Sequence, residues 1–320
     1  LRQGELRQTD RDLDLTVDGT GFLVLFDGNE MLYATTGSFS IDKEGFIVLT
    51  GTQYRLATLD SSNQPVALSI DVSRTSAPKK TTTVKFTNNL SSTATTAYSV
   101  SNIKVHDPSG TTHVWKAQFE KDTAAGAGNW KVTVTNDKGT LSVTKALKFV
   151  NGIVDPTTAR FDIADTNAGL SVTFDFSSGV TSYSGADVST LGTASIDGYP
   201  TGALTSVGVN AQGQIELGYS NEQKVQMGAV AIADFRDPQV LEQKGAGLFG
   251  KIGSGQVEFM SSTDARVGQV VGKRLEASNV DLSRQFGDLI LIQRGFQASS
   301  QIVSVSNDMI QQLFGIRGQG

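Results

Sequence analysis

The chain has no cysteine among its 320 residues. That excludes disulfide staples, thiolate metal sites and a cysteine nucleophile, and it lets the chain pass unfolded through any redox compartment. Histidine is almost as scarce: His106 and His113, either side of Pro108, are the only two. A metal site would need a third ligand, and a hydrolase triad would need a geometry that spacing does not supply, so they read as turn and strand histidines with ordinary solvation. Only six prolines stand against 34 glycines, below and above their usual shares of roughly 5% and 7%. The turns are therefore mainly glycine turns, which suits hairpin-rich β structure.

No apolar run approaches the ~18 residues that suggest a membrane-spanning helix. Residues 1–20 carry Arg2, Glu5, Arg7, Asp10, Arg11, Asp12 and Asp14, too many charges for a cleaved secretory leader. The formal net charge is −5, with Lys and Arg scattered apart from Lys79-Lys80. This gives no electrostatic reason to expect nucleic acid or an anionic membrane as partner. No residue set suggests a cofactor, a metal ion or a small-molecule substrate. Gly245-Ala-Gly-Leu-Phe-Gly250 matches the dinucleotide fingerprint in letters, but the required strand before it and helix after it are missing from the pattern, leaving a flexible turn. Asp162 with Asp165 and Asp234 with Asp237 are carboxylate pairs of a kind common in β loops. Asn89-Leu90-Ser91 reads as a polar loop.

What is present is strand and turn. Residues 13–57 alternate short apolar runs with Asp18-Gly19, Asp27-Gly28-Asn29, Gly37 and Asp42-Lys43-Glu44-Gly45, residues that accept positive φ or cap tight turns. Asp18 to Gly21 lies between two strands, so it reads as a hairpin turn; a phosphate cradle would need a helix after Phe22. Val207–Leu217 repeats the shape of Phe39–Leu49, each with an acid or amide three residues before a glycine. This suggests one β domain built from residues 1–57 and 193–270. Between them, residues 58–192 shift toward Ser and Thr and contain Trp115, Trp130, Phe119, Phe149, Phe161, Phe174 and Phe176. They are expected to form a second β sandwich or barrel inserted into the first.

The period changes at the end, over residues 271–320. Leu275, Leu282, Leu289, Phe296, Val303 and Ile310 fall at intervals of seven, reinforced by Phe286, Ile292, Ile302, Met309, Leu313 and Phe314. Asn279 or Asp281 offers an N-cap, and the pattern predicts one amphipathic helix over 281–314. At about 1.5 Å per residue it would run roughly 50 Å, longer than a small domain can cover. From Gly295 to Ile316 its only charge is Asp308, and neutral amides and hydroxyls are cheaper to desolvate than charges. The helix is expected to be an assembly segment packed on other chains. A two-chain coiled coil would satisfy the heptad alone, but a higher-order bundle suits the uncharged faces better. The expected fold class is mainly β with this long helix, two β domains and a helical assembly segment.

These residues also resemble a known family. Ser278-Asn279-Val280-Asp281-Leu282 followed by Gln293-Arg294-Gly295-Phe296-Gln297-Ala298-Ser299 is similar to the carboxy-terminal signature of the bacterial flagellar axial proteins of rod and hook. Leu13-Asp14-Leu15 with Asp18-Gly19-Thr20-Gly21-Phe22, and the YATTGSF run from Tyr33 through Gly37 to Phe39, resemble the amino-proximal one. Gln285, Phe296 and Ser299 stand where the family usually has Glu, Tyr and Asn. Residues 197–249 and the large Ser/Thr-rich insertion resemble hook members more than rod members. The resemblance implies a non-enzymatic subunit of a helical homopolymer, exported unfolded, with an upstream helix that pairs with 281–314. The implied location is the extracellular hook, and the implied partners are copies of itself, distal-rod, hook-cap and hook–filament junction proteins and the flagellar export apparatus. A distal-rod subunit shares the terminal motifs. A secreted β-sandwich carbohydrate-binding protein or glycosidase would suit the Ser/Thr-rich strands but leaves the charge-poor helix unexplained.

Overall fold

The fold is described from a computed structural model covering residues 3–185, 187–253, 255–262, 264, 266–278 and 282–317. Among the described residues it is built of β-strands with three short 3-10 turns, followed by one α-helix, Leu282–Arg317. One local device recurs at the hairpins. Asp42, Asp60, Asp107 and Asn210 each accept bonds from the backbone N–H groups two and four residues on, at 2.7–3.0 Å. Three residues after each, Gly45, Asn63, Gly110 and Gly213 take positive φ of 82°, 57°, 86° and 70°. Glycine or asparagine is needed there because other side chains resist that backbone region. The acid-or-amide spacing visible in the sequence is this turn.

The first β unit is a branched twelve-strand sheet with a four-strand sheet packed on it. Its central strand Phe22–Asp27 is apolar on both faces. Leu23 and Leu25 point into a core with Leu15, Phe39, Ile47, Leu217 and Ile232, while Phe22 and Val24 face a smaller cluster with Tyr33, Ala57 and Phe235. A strand buried on both faces loses the polar alternation of a half-exposed one, which is why FLVLF reads as a continuous run.

The inserted unit is built on a ten-strand sheet system. In Thr112–Lys121, His113, Trp115, Ala117 and Phe119 are buried while Lys116, Gln118 and Glu120 are exposed, the period-two pattern of a strand with one wet face. Phe86 stacks on Phe176 at 4.3 Å between ring centroids and lies 5.1 Å from Phe174.

The structure moves three boundaries. Arg55–Leu59 pairs with Pro65–Ala67 in the first unit, and Thr75–Ser76 pairs with Gly202–Val209. The insertion therefore starts near Thr81 rather than at 58; the Asp60 turn closes a hairpin that belongs to the first core. The insertion ends later than 192, because Gly192–Ile196 pairs with Thr83–Asn89. The first unit extends past 270 to Arg274–Glu276, which pairs with Leu6–Gln8. Leu275 is thus a strand residue opposite Arg7, not the first position of the helical heptad. Its seven-residue spacing from Leu282 belongs to two different elements.

The Asp18–Gly21 turn is also not a hairpin. Asp14–Asp18 pairs with Thr36–Ile41 and Gln269–Gly272, whereas Phe22–Asp27 pairs with Glu30–Ala34, Arg55–Leu59 and Ala231–Phe235. The turn carries the chain from one set of partners to the other and crosses residues 267–268. Gly21 N–H donates to the Val267 carbonyl at 3.0 Å. A Cβ on Gly19 would lie 2.5 Å from the Gly268 Cα, so glycine is required by close backbone approach.

Candidate assembly site

The helix spans 36 residues, about 54 Å at 1.5 Å per residue. Every side chain described between Ser283 and Gln311 is exposed. Phe286, Leu289, Ile292, Phe296, Val303 and Ile310 are 50–77% exposed, and at about 100° per residue they form one stripe. Leu291, Ile302, Val305 and Met309, 54–74% exposed, form a second stripe on the far side. Ile302 and Met309, expected to reinforce the first stripe, fall instead on this second one, as a helical wheel over the same residues shows. Leu282, Leu313 and Phe314 lie in the helix, with side chains outside the description. Among the signature residues, Gln293, Arg294, Gln297 and Ala298 are exposed on the helix and Ser278 is exposed before it. Asn279, Val280 and Asp281, with the expected N-cap, lie outside the described residues.

The amino-proximal signature is bonded to the last strand of the β body, Arg274–Glu276. Asp14 is buried and accepts a 2.5 Å bond from the Ser38 hydroxyl. Thr36 donates its hydroxyl to the Leu15 carbonyl at 3.1 Å and accepts the Glu276 N–H at 3.1 Å. Glu276 reaches on through its carboxylate to the Gly4 N–H at 2.6 Å, and Ala277 N–H donates to the Glu5 carbonyl at 2.8 Å. Gly37 leaves room for the Phe39 ring and Leu49, 2.8–3.1 Å from where a Cβ would stand. Phe39 is buried in the main core, and Phe22 meets Phe235 and Phe249 edge to face at 5.8 Å. Asp18 pairs with Gln269 on the strand returning toward the helix. The signature thus ties the first strands to the residues immediately before the helix, more than 230 positions later. Thr36 lies within the YATTGSF run, but nothing in the sequence marks Glu276; only its long-range bond to Thr36 does.

The other sequence features fall elsewhere. Gly245 to Gly250 spans the turn between Leu241–Gly245 and Leu248–Lys251, so a strand does precede the glycines, contrary to expectation, but another strand and not a helix follows them. Asn89 is engaged through both side-chain atoms, with Tyr183 and Thr181. Asp162 accepts the Thr173 hydroxyl at 2.6 Å and Asp165 the Asn136 amide at 3.2 Å, so each carboxylate fixes a neighbouring strand. The two histidines are buried rather than ordinarily solvated: His106 lies 3.2 Å from the Thr112 hydroxyl and His113 Nε2 3.2 Å from Asp107. Strand pairing sets His113 opposite Val105, beside His106. A groove of about 600 Å³ on the first unit is lined by Phe26, Asp42, Glu44, Val48 and Arg55. There Arg55 pairs with Glu44 at 2.8 Å and sits 3.8 Å over the Phe46 ring. Among the described residues no group of three or more His, Asp or Glu is placed to hold a metal ion, and no helix is long and apolar enough to cross a membrane.

Residues 271–316 match the family described as flagellar basal body rod FlgEFG protein C-terminal. The flagellar hook protein FlgE of Escherichia coli K12 is 27% identical over 347 residues, covering 98% of this chain and 84% of that protein. FlgE of Borreliella burgdorferi is 25% identical over 363 residues, covering 98% and 81%. FlgE of Helicobacter pylori 26695 is 35% identical over a shorter 122 residues, 38% of this chain and 17% of that one. The crystal structure of the Helicobacter pylori flagellar hook protein FlgE2 superposes with a TM-score of 0.56 at 11% identity, covering 85% of this chain and all of that chain. The likeness to that structure is one of fold.

Proposed function

The chain belongs to the bacterial flagellar rod and hook axial proteins, and we propose that the exposed helix is the segment through which it polymerises. It is a structural subunit of the flagellar hook, built as a helical polymer. The observation that supports the helix as assembly segment is its pair of apolar stripes, uncovered along their described length. An isolated helix takes most of its stability from packing, and two stripes on different sides call for neighbours on both sides. Copies of the same chain supply them in a helical polymer, where heterologous contacts repeat without closing.

In this reading the labour divides by layer. The helices resist torsion through close contact, while the two β units meet their neighbours through polar faces and slide as the tube bends. The bonds from Thr36 and Glu276 carry force from helix to β body. The partners at either end of such a tube would be distal-rod, hook-cap and hook–filament junction proteins, with delivery by the flagellar export apparatus. No catalytic step is assigned. Replacing Leu289 and Phe296 together with Asp tests the reading: polymerisation should be lost while the β units stay folded. Normal tubes from the doubly substituted chain would refute it.

A further inference from the structure

The two β units are joined by two short segments, residues 77–82 and 197–201, which meet at an antiparallel bridge with reciprocal bonds between Lys79 and Tyr199 at 2.9 and 3.0 Å. Each segment is fixed on the side of the inserted unit. Asp197 accepts Thr82 N–H at 2.8 Å, the Thr82 hydroxyl at 2.5 Å and Thr83 N–H at 2.9 Å. A Cβ on Gly198 would lie 2.6 Å from the Thr81 Cα, so the two segments run in close contact. One turn of the inserted unit presses on both. A Cβ on Gly110 would lie 2.8 Å from Pro78 of the first segment and 3.1 Å from Thr201 of the second.

That turn, Asp107 to Thr111, stands at the end of the strand pair carrying both histidines of the chain. Asp107 accepts the Ser109 N–H, the Ser109 hydroxyl and the Thr111 N–H at 2.7–2.9 Å, and lies 3.2 Å from His113 Nε2. His106 is joined to the first segment twice. Its N–H donates to the Thr81 hydroxyl at 2.8 Å and its carbonyl accepts the Thr81 N–H at 2.9 Å. Thr81 is fully buried and His106 nearly so.

We propose that the Asp107–Thr111 turn is a wedge fixing the angle between the two β units, and that a proton taken up by His106 releases it. Burial depresses His106 below its ordinary value of 6.5. Asp107 acts on it in the opposite sense, while His113 and Lys104 reinforce the depression. Lys79, Lys80 and Asp197 are the charges of the two segments, with Tyr199 beside them, and Lys79 acts on Asp197. A group whose folded value is lowered contributes stability that is fully present above its unfolded value and lost as pH falls through the folded one. Protonated His106 must regain water. Its backbone bonds to Thr81 then open and Gly110 withdraws from Pro78 and Thr201. The carboxylates do not obscure this window. Asp107 is held far below the carboxylate range, first by the Ser109 hydroxyl, and Asp197 below its ordinary value by bonds from Thr82 and Thr83 that outweigh its burial. Both stay charged while a histidine titrates.

The absence of cysteine makes the test clean. Spin labels at Ser62→Cys on the first unit and Ser142→Cys on the inserted one report the distance between units by pulsed electron resonance on the full chain. The distribution should be narrow near pH ~7.5 and about twofold broader near pH ~5, with Trp fluorescence unchanged because the inserted core stays folded. His106→Asn keeps a neutral group at the Nδ1 position and should stay narrow at both values. His113→Gln keeps a donor toward Asp107 and should broaden as the parent does. An unchanged distribution in the parent, or broadening that persists in His106→Asn, would overturn the proposal.

Discussion

The inserted β unit and the terminal helix are opposite answers to the same problem of where to put apolar side chains. The inserted unit hides Trp115, Phe86, Phe119, Phe174 and Phe176 at 0–1% exposure, each within a core drawn from its own strands. The helix leaves Phe296 at 77% and Leu291 at 74% exposure. One element buries its apolar side chains within the chain; the other leaves them exposed, and in the proposed assembly neighbouring chains cover them. Apolar content alone does not locate a core. What matters is whether the fold supplies a facing layer.

Breaking the contrast from the helix side should have the largest effect. Leu289→Asp with Phe296→Asp should abolish polymerisation, scored by electron microscopy, yet leave the thermal transition of the β units of the single chain unmoved. Breaking it from the β side should do the reverse. Phe86→Ala removes a stacked ring from a closed core and should cost about 3–5 kcal/mol in denaturant unfolding, with helix exposure in the monomer unchanged. A smaller effect falls where the two regions meet. Thr36→Val removes the hydroxyl between Leu15 and Glu276 and should cost about 1 kcal/mol, while faster amide exchange at Gly4 and Ala277 would show this contact loosening. The smallest effect is the acid response of the linker. Because Asp197 is held below its ordinary value, its contribution is present at neutral pH and is lost as pH falls from that ordinary value through the lowered folded one. Asp197→Asn should flatten that part of the pH dependence of unfolding.

Much of this contrast is legible in the letters. Local chemistry announces local structure: the Asp42 and Asn210 turns, the period-two strand through Trp115, and the long helix can each be read within a dozen residues. What escapes is pairing across distance. Leu275 sits at a heptad interval, and only the partnership of Arg274–Glu276 with Leu6–Gln8 makes it a strand residue. Asp18 to Gly21 has hairpin chemistry, but its flanking strands choose other partners, and the glycines answer to residues 267–268 instead. The boundary at Thr81 is hidden for the same reason, since the Asp60 hairpin and the Thr75–Ser76 strand look like their neighbours until their partners are known. The second helical stripe was within reach of a wheel at 100° per residue but not of an interval of seven.

In the proposed assembly the helix draws its order from neighbouring chains while the β units do not. Amide hydrogen exchange on a verified monomer and on the assembled tube compares the two directly. Residues 283–317 should exchange freely in the monomer and become protected in the tube, with the strands around Trp115 and Leu23 protected in both. Full protection of the helix in the monomer would contradict the account.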